Sequence, residues 1–326
     1  MKAINAKEFS EMDKLSEKGE PFIFIIDFLK QNILLFTEEE LNKNPDILVH
    51  FQDYRNYTPE TSFNKKIHLQ SFPETFESYK KGFDLVMENL QLGNSYLINY
   101  TRKTKIETNL TLRDIFYHSD AKYKICYKNN WVFFSPEVFV KIENQRISTF
   151  PMKGTIDADI PDAENILKND PKEKAEHYTV VDLLRNDLSM VANNVKLVDF
   201  QRIDYLKTLK KNLYTMSSEI EGTIKPSFQN KVGSIMEKLL PAGSILGAPK
   251  DKTQEVILKS ESYDRGFYTG VCGYFDGKDL DSGVMIRFIE NEDNQFYFKS
   301  GGGITHQSDA SAEYQEMINK IYVPVY

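Results

Sequence analysis

The sequence predicts an α+β fold, a large sandwich of antiparallel β-sheets flanked by helices. Three observations carry that expectation: strand-length apolar runs follow one another across short turns, helical spacing appears in separate segments, and no βαβ pattern repeats. The runs are Trp131 to Ile142, Tyr268 to Phe275, Val284 to Glu290 and Gln295 to Lys299. Asp276-Gly277 and the stretch Asn291 to Asn294 separate the last three, which are therefore expected to form an antiparallel meander. Phe22 to Phe36 is apolar but interrupted by Asp27, Lys30, Gln31 and Asn32, too early for a helix crossing about 30 Å of hydrocarbon. It reads as a buried strand, a turn and another strand.

Helical spacing runs from residue 76 to 91 before Gly93, and Lys231 to Leu240 is a short amphipathic helix ended by Pro241. Asp170-Pro171-Lys172-Glu173 starts another, because Asp caps, Pro suits the first turn and Glu173 stands at the reciprocal capping position. That helix is expected to reach about Leu188.

The 326 residues are 40% hydrophobic and 27% charged, an ordinary balance for a globular chain with a large core. The formal net charge is −7 and the lysines are scattered, so nucleic acid is not expected as a partner, and Lys210-Lys211 reads as a solvated pair. Cys126 and Cys272 lack metal-ligand spacing, which points to neither a disulfide framework nor zinc and suits a reducing compartment. The first twenty residues lack the apolar core of a secretion signal. A cytoplasmic protein without membrane contact is expected. No repeat or linker divides the chain, and the candidate segments are scattered, so residues 1–326 are expected to form a single domain.

Glu173, Glu176, Val180 and Leu184 fall on one face of the helix after Pro171, which places two carboxylates on the inward stripe. A second Glu-x-x-Glu, Glu313 and Glu316, follows Asp309 as a helix cap. Buried carboxylates repel and lose hydration, and a hard divalent cation such as Mg2+ relieves both costs. The same spacing also occurs on solvated helix faces, so both readings stand at this stage.

Lys153 lies among Phe150, Met152 and Gly154, and Glu137 ends the run Ser135-Pro136-Glu137. A desolvated amine can serve as a nucleophile and a carboxyl in an apolar pocket as a general acid, whereas an edge-strand lysine and a solvated glutamate would do neither. Gly301, Gly302 and Gly303 either present backbone amides to an anion or form a turn. Gly243 to Lys250 fails the phosphate-loop spacing, because Pro249 precedes the lysine and no Ser or Thr follows it. Arg287 interrupts an apolar strand, as a carboxylate clamp or as half of a structural ion pair.

In this order the segments resemble the chorismate-utilising enzymes, the family that includes anthranilate synthase, isochorismate synthase and aminodeoxychorismate synthase. The resemblance rests on Ser135 to Glu137, Pro151 to Thr155, Glu176 to Asp187, Gly243 to Lys250, Arg265 to Gly270, Ile286-Arg287 and Gly301 to Glu316, and it covers about residues 75 to 322. It implies a single chorismate-binding catalytic domain over 1–326, with a shortened N-terminal region of about 1–74 in which tryptophan regulation is not expected.

The resemblance further implies Mg2+ bound directly by Glu176 and Glu316 and through water by Glu173 and Glu313. Tyr268 and Arg287 match residues that grip a substrate carboxylate, Gly301 to Gly303 match its glycine wall, and Glu137 matches the acid that protonates the departing 4-hydroxyl. Lys153 matches the lysine of the aminodeoxychorismate branch, where anthranilate and isochorismate synthases usually carry alanine. Leu97 stands where water-using relatives place a basic lysine. The implied reaction converts chorismate and ammonia to 4-amino-4-deoxychorismate, toward p-aminobenzoate and folate. A separate glutamine amidotransferase is expected to supply ammonia, and another enzyme to remove pyruvate. Leu246, Thr215 and Phe267 depart from the family pattern. The rival expectations are an anthranilate synthase component I and a catalytically inactive chorismate-binding subunit.

Overall fold

In the computed structural model, which describes residues 6–59, 66–206 and 212–323, the run Phe22–Ile26 is a strand, β1, buried on both faces. Strand side chains alternate. Phe22, Phe24 and Ile26 therefore enter one apolar cluster while Ile23 and Ile25 enter another. The chain turns and returns as β2 (Ile33–Phe36), paired antiparallel with β1, so the strand, turn, strand reading holds. Lys210-Lys211 lies outside the described residues.

One nine-stranded sheet contains, in spatial order, β10 (Met152–Asp157), β12 (Leu213–Ile224), β9 (Arg146–Thr149), β8 (Val138–Glu143), β15 (Leu280–Val284), β14 (Val271–Phe275), β1 and β2, with β11 (Ala192–Leu206) against β12. The eight-stranded sheet contains β13 (Gly247–Ala248), β5 (Leu97–Thr108), β17 (Gln295–Ile304), β16 (Phe288–Glu292), β7 (Trp131–Ser135), β6 (Tyr123–Tyr127) and β3 (Ile47–His50), with β4 (Leu69–Phe72) against β5. The pairings are antiparallel, and the cluster holding Ile23, Ile125, Phe133, Cys272 and Phe288 fills the space between the sheets. The α+β expectation is met.

Ten helices cover the outer faces among the described residues: α1 (Ala6–Lys18), α2 (Glu38–Asn42), α3 (Phe76–Gln91), α4 (Leu112–His118), α5 (Ala163–Asn169), α6 (Pro171–Val191), α7 (Val232–Leu239), α8 (Gly243–Leu246), α9 (Lys250–Ser260) and α10 (Ala310–Asn319). Helices α1, α6 and α7 pack on the first sheet, and α3, α9 and α10 on the second. Asp170 caps α6 by accepting from the Glu173 amide at 2.9 Å, and α6 runs past Leu188 to Val191. No described helix is long and apolar enough to cross a membrane.

Two expectations need correction. Trp131 to Ile142 is not one strand: it breaks at Ser135-Pro136-Glu137, where proline cannot donate to a ladder, and β7 and β8 belong to different sheets. The expected meander likewise divides into two hairpins. β14 and β15 lie in the first sheet, β16 and β17 in the second, and the chain crosses between them at Met285 to Arg287, where Arg287 adopts φ +54°.

A buried ion pair ties α9 to the second sheet. Arg265 donates to both carboxylate oxygens of Glu261, at 2.7 and 2.9 Å, with each side chain only 2% exposed. Glu261 also accepts from the Thr101 amide, and Arg265 donates to the Asn99 carbonyl and the Thr269 hydroxyl. Arg265→Met should destabilise the fold by about 3–5 kcal/mol, because Glu261 would remain buried and charged without its partner. Urea unfolding measures this, and adding Glu261→Leu should recover most of the loss; a single variant as stable as the parent would show the pair to be dispensable.

Candidate active site

The two crossings lie side by side. Val284 donates its amide to the Glu137 carbonyl at 3.0 Å, and Phe134 donates to the Arg287 carbonyl at 3.3 Å. Backbone that leaves a ladder here carries Glu137 and Arg287 to one seam of the sandwich. Tyr268, just ahead of β14, is buried there with its ring 6.1 Å from that of Phe288.

Glu137 Oε1 accepts from the Ser244 hydroxyl at 2.7 Å. Removal from water pushes its carboxyl above the ordinary 4.5, while the Ser244 hydrogen bond and the charges of Lys153, Lys320 and Arg287 oppose that shift. Those three charges are the cations that face this carboxyl. Among the described residues no carboxylate forms an ion pair with Lys153 or Arg287.

Lys153 is aimed by a bulge. In β10, Lys153 pairs with Met216 and Thr155 with Thr215, leaving Gly154 as the extra residue at φ +75°. Thr215 donates its hydroxyl to the Gly154 carbonyl at 2.9 Å and so holds the bulge. A Cβ on Gly154 would stand 2.9 Å from Glu173 Oε2, which brings α6 close against this turn. Lys153 Nζ reaches the second sheet, 3.6 Å from where a Cβ on Gly303 would stand.

Gly301, Gly302 and Gly303 are not a turn. They lie within β17, opposite Thr101, Tyr100 and Asn99 of β5, while β16 begins only at Phe288, opposite Lys299. The glycines consequently have a strand on one edge alone. A Cβ on Gly302 would meet Glu316 Oε1 at 3.3 Å and Glu313 Oε2 at 3.4 Å, so both α10 carboxylates converge on that open backbone. Glu313 is 5% exposed and accepts from Ser308 at 2.7 Å, whereas Glu316 pairs with Lys320 at 2.7 Å.

Glu176 lines a cleft of about 260 Å³ with Ser95, Tyr96, Leu97, Thr305 and His306. Among the described residues no group of three or more His, Cys, Asp or Glu side chains gathers tightly enough to hold a metal ion. Hard oxygen donors converging on a glycine cradle nonetheless have the chemistry a divalent cation such as Mg2+ requires.

Sequence reasoning singled out neither Lys320 nor Ser244 nor His177. Lys320 donates to the Gly301 carbonyl at 2.8 Å. His177 is fully buried, with Nε2 2.6 Å from the Ser218 hydroxyl; burial, and after it the Lys153 charge, push its pKa down to about 4. The imidazole beside the lysine is therefore neutral at physiological pH. Leu246 packs in the cluster with Phe28, Ile98 and Tyr100, and Phe267 lies against Trp131 with ring centres 5.5 Å apart. Lys250 is committed to Asp187 at 2.8 Å and the Leu239 carbonyl at 2.6 Å, which removes it from any phosphate role.

The family model described as chorismate binding enzyme matches residues 19–325. The chain belongs to the chorismate-binding enzyme family. It is 47% identical over 94% of its length to an uncharacterized PabA-like protein of Haemophilus influenzae, covering 92% of that protein. It is 26% identical over 91% of its length to aminodeoxychorismate synthase component 1 of Escherichia coli, covering 66% of it, and 34% identical over 59% to anthranilate synthase component 1 of Arthrobacter globiformis, covering 36%. The isochorismate synthase DhbC from Bacillus anthracis shares the fold, with a TM-score of 0.72 at 18% identity over 97% of this chain and 87% of that one. As a chorismate-binding enzyme, the chain places Lys153 and the raised-pKa Glu137 on the same seam.

Because the folded Glu137 carboxyl holds its proton above 4.5, the folded state binds more protons than the unfolded one as pH rises past that value. Stability contributed by this group is present at low pH and lost as pH climbs through the raised pKa. Glu137→Gln should remove that slope and stabilise the protein at neutral pH, as measured by urea midpoints between about pH 4 and 8. A slope identical to the parent's would show that Glu137 is not held as the acid.

Proposed function

We propose that this chorismate-binding enzyme aminates chorismate with ammonia to give 4-amino-4-deoxychorismate, on the route to p-aminobenzoate and folate. The observation that carries the reading is an amine, Lys153, that has no carboxylate ion pair among the described residues and bears on a carboxyl that burial keeps toward its acid form, Glu137. Relatives bearing both the aminodeoxychorismate and the anthranilate names match the chain, so overall similarity does not choose between the two chemistries. Lys153 favours the first.

In the proposed sequence the Lys153 nitrogen attacks ring carbon 2 with its lone pair and the carbon 4–oxygen bond breaks. Glu137 gives its proton to the departing hydroxyl, which leaves as water. Ammonia then attacks carbon 4 and the carbon 2–nitrogen bond breaks, which returns the lysine amine, while the Glu137 carboxylate takes up the proton the new amine sheds. Arg287 and Tyr268 hold a substrate carboxylate, and the Gly301 to Gly303 backbone forms the wall of its pocket. Ammonia comes from a separate glutamine amidotransferase.

Mg2+ belongs to this reading, with Glu176 and Glu316 as direct ligands and Glu173 and Glu313 acting through water. When bound, it neutralises a substrate carboxylate. Saturation at about a hundred times its Kd should raise the free energy of unfolding by about 2.7 kcal/mol. Denaturation with and without Mg2+ measures this, and Glu316→Gln should erase most of the increment; an equal increment in the variant would remove Glu316 from the ligand set.

The decisive assay supplies chorismate, Mg2+ and ammonium and identifies the product by mass spectrometry. Lys153→Ala should remove most 4-amino product while chorismate still binds, and Glu137→Gln should lower kcat by about 10²–10⁴-fold. Chorismate without ammonia should leave a covalent adduct on Lys153 of the parent. Undiminished 4-amino product from Lys153→Ala would reject lysine as the nucleophile, and anthranilate from the parent enzyme would favour the rival chemistry.

A further inference from the structure

After α10 the chain does not leave the site. Ile321 and Val323 pack against the outer cluster of the second sheet, among Phe134, Ile289 and Phe298, and these two anchors bracket Tyr322. Tyr322 presents its ring to the guanidinium of Arg287, 5.0 Å from carbon to ring centre. The tail thus runs along the rim of the seam, with Lys320 on the Gly301 carbonyl and Tyr322 over Arg287.

Arg287 has need of such a support. Its backbone is fixed at the crossing, where its carbonyl accepts from Phe134, but a long side chain beyond that point keeps several free torsions. Among the described residues it forms no ion pair and its guanidinium makes no hydrogen bond. Its donors therefore remain available to a ligand, and an aromatic face is the support that holds a guanidinium without consuming them.

We infer that Tyr322 is a positioning residue, whose ring, strapped down by Ile321 and Val323, holds Arg287 ready to clamp a carboxylate of the substrate. The consequence for binding rests on the chorismate reading; the holding of Arg287 does not. Orienting the clamp in advance lowers the ordering cost at binding, so the effect belongs in KM and leaves kcat nearly untouched.

Tyr322→Leu keeps an apolar side chain between the two anchors and removes the aromatic face. It should raise KM for chorismate roughly three- to fivefold with kcat unchanged, and Tyr322→Phe should restore the parent KM. In an Arg287→Ala background the same Tyr322→Leu change should add nothing. A lowered KM, which would mean that the ring blocks the pocket, or an equal increase with Arg287 absent, overturns the proposal.

A second measurement needs no substrate. The Nε–Hε nuclear magnetic resonance signal of Arg287, assigned by its loss in Arg287→Lys, should become more mobile in Tyr322→Leu; unchanged order overturns the proposal whatever the reaction. If mobility rises but neither Arg287→Lys nor Tyr322→Leu alters chorismate binding, the support stands and the chorismate reading of the pocket fails.

Discussion

The structure depends on two places where a strand abandons one sheet for the other. Ser135 to Glu137 and Met285 to Arg287 run side by side, and each supplies a backbone hydrogen bond to the other's flank. A sandwich whose sheets exchanged no strands could slide or separate along its apolar interior. Crossing strands fix the two layers against one another, and they do so where side chains project from irregular backbone. Glu137 and Arg287 are consequently positioned by the same peptide segments that hold the fold together.

Charge in the interior divides by purpose. Arg265, Lys250 and Lys299 each pair with a carboxylate, Glu261, Asp187 and Glu290, and donate as well to backbone carbonyls. Those cations are satisfied and serve packing. Lys153 and Arg287 have no carboxylate partner among the described residues, and both bear on Glu137. An unpaired cation in a half-buried position lowers stability unless something else gains from it, and an anionic ligand is what such a pair of charges attracts.

Local signals made much of the fold legible. Caps and periodicity located α3, α6 and α7, and the polar interruption at Asp27 to Asn32 located the turn between β1 and β2. The crossings were not legible, because an apolar run that changes sheet has the same residue pattern as one that does not. Pro136 was the available signal. The metal-type carboxylates were legible as pairs, yet their spacing along α6 and α10 says nothing of the distance between those helices. Ser244 is 107 residues from the carboxyl it contacts, so no local pattern could assign it. Lys320 stands one turn beyond Glu316, where a charged pair on a helix face is ordinarily unremarkable.

The departures from the family pattern acquire physical content from their contacts. Leu246 is buried among Phe28, Ile98 and Tyr100, so its aliphatic side chain fills core volume there. Thr215 is more telling, since its hydroxyl holds the Gly154 carbonyl and thereby the bulge that gives Lys153 its direction. Gly154 adopts a left-handed conformation that L side chains rarely take, and it lacks the Cβ that would meet Glu173. A chain relieved of the need to aim Lys153 could dispense with both the strained glycine and the hydroxyl that secures it. Among the described residues this lysine forms no ion pair, so the bulge and the hydroxyl that secures it give direction to an amine that serves no structural charge pair.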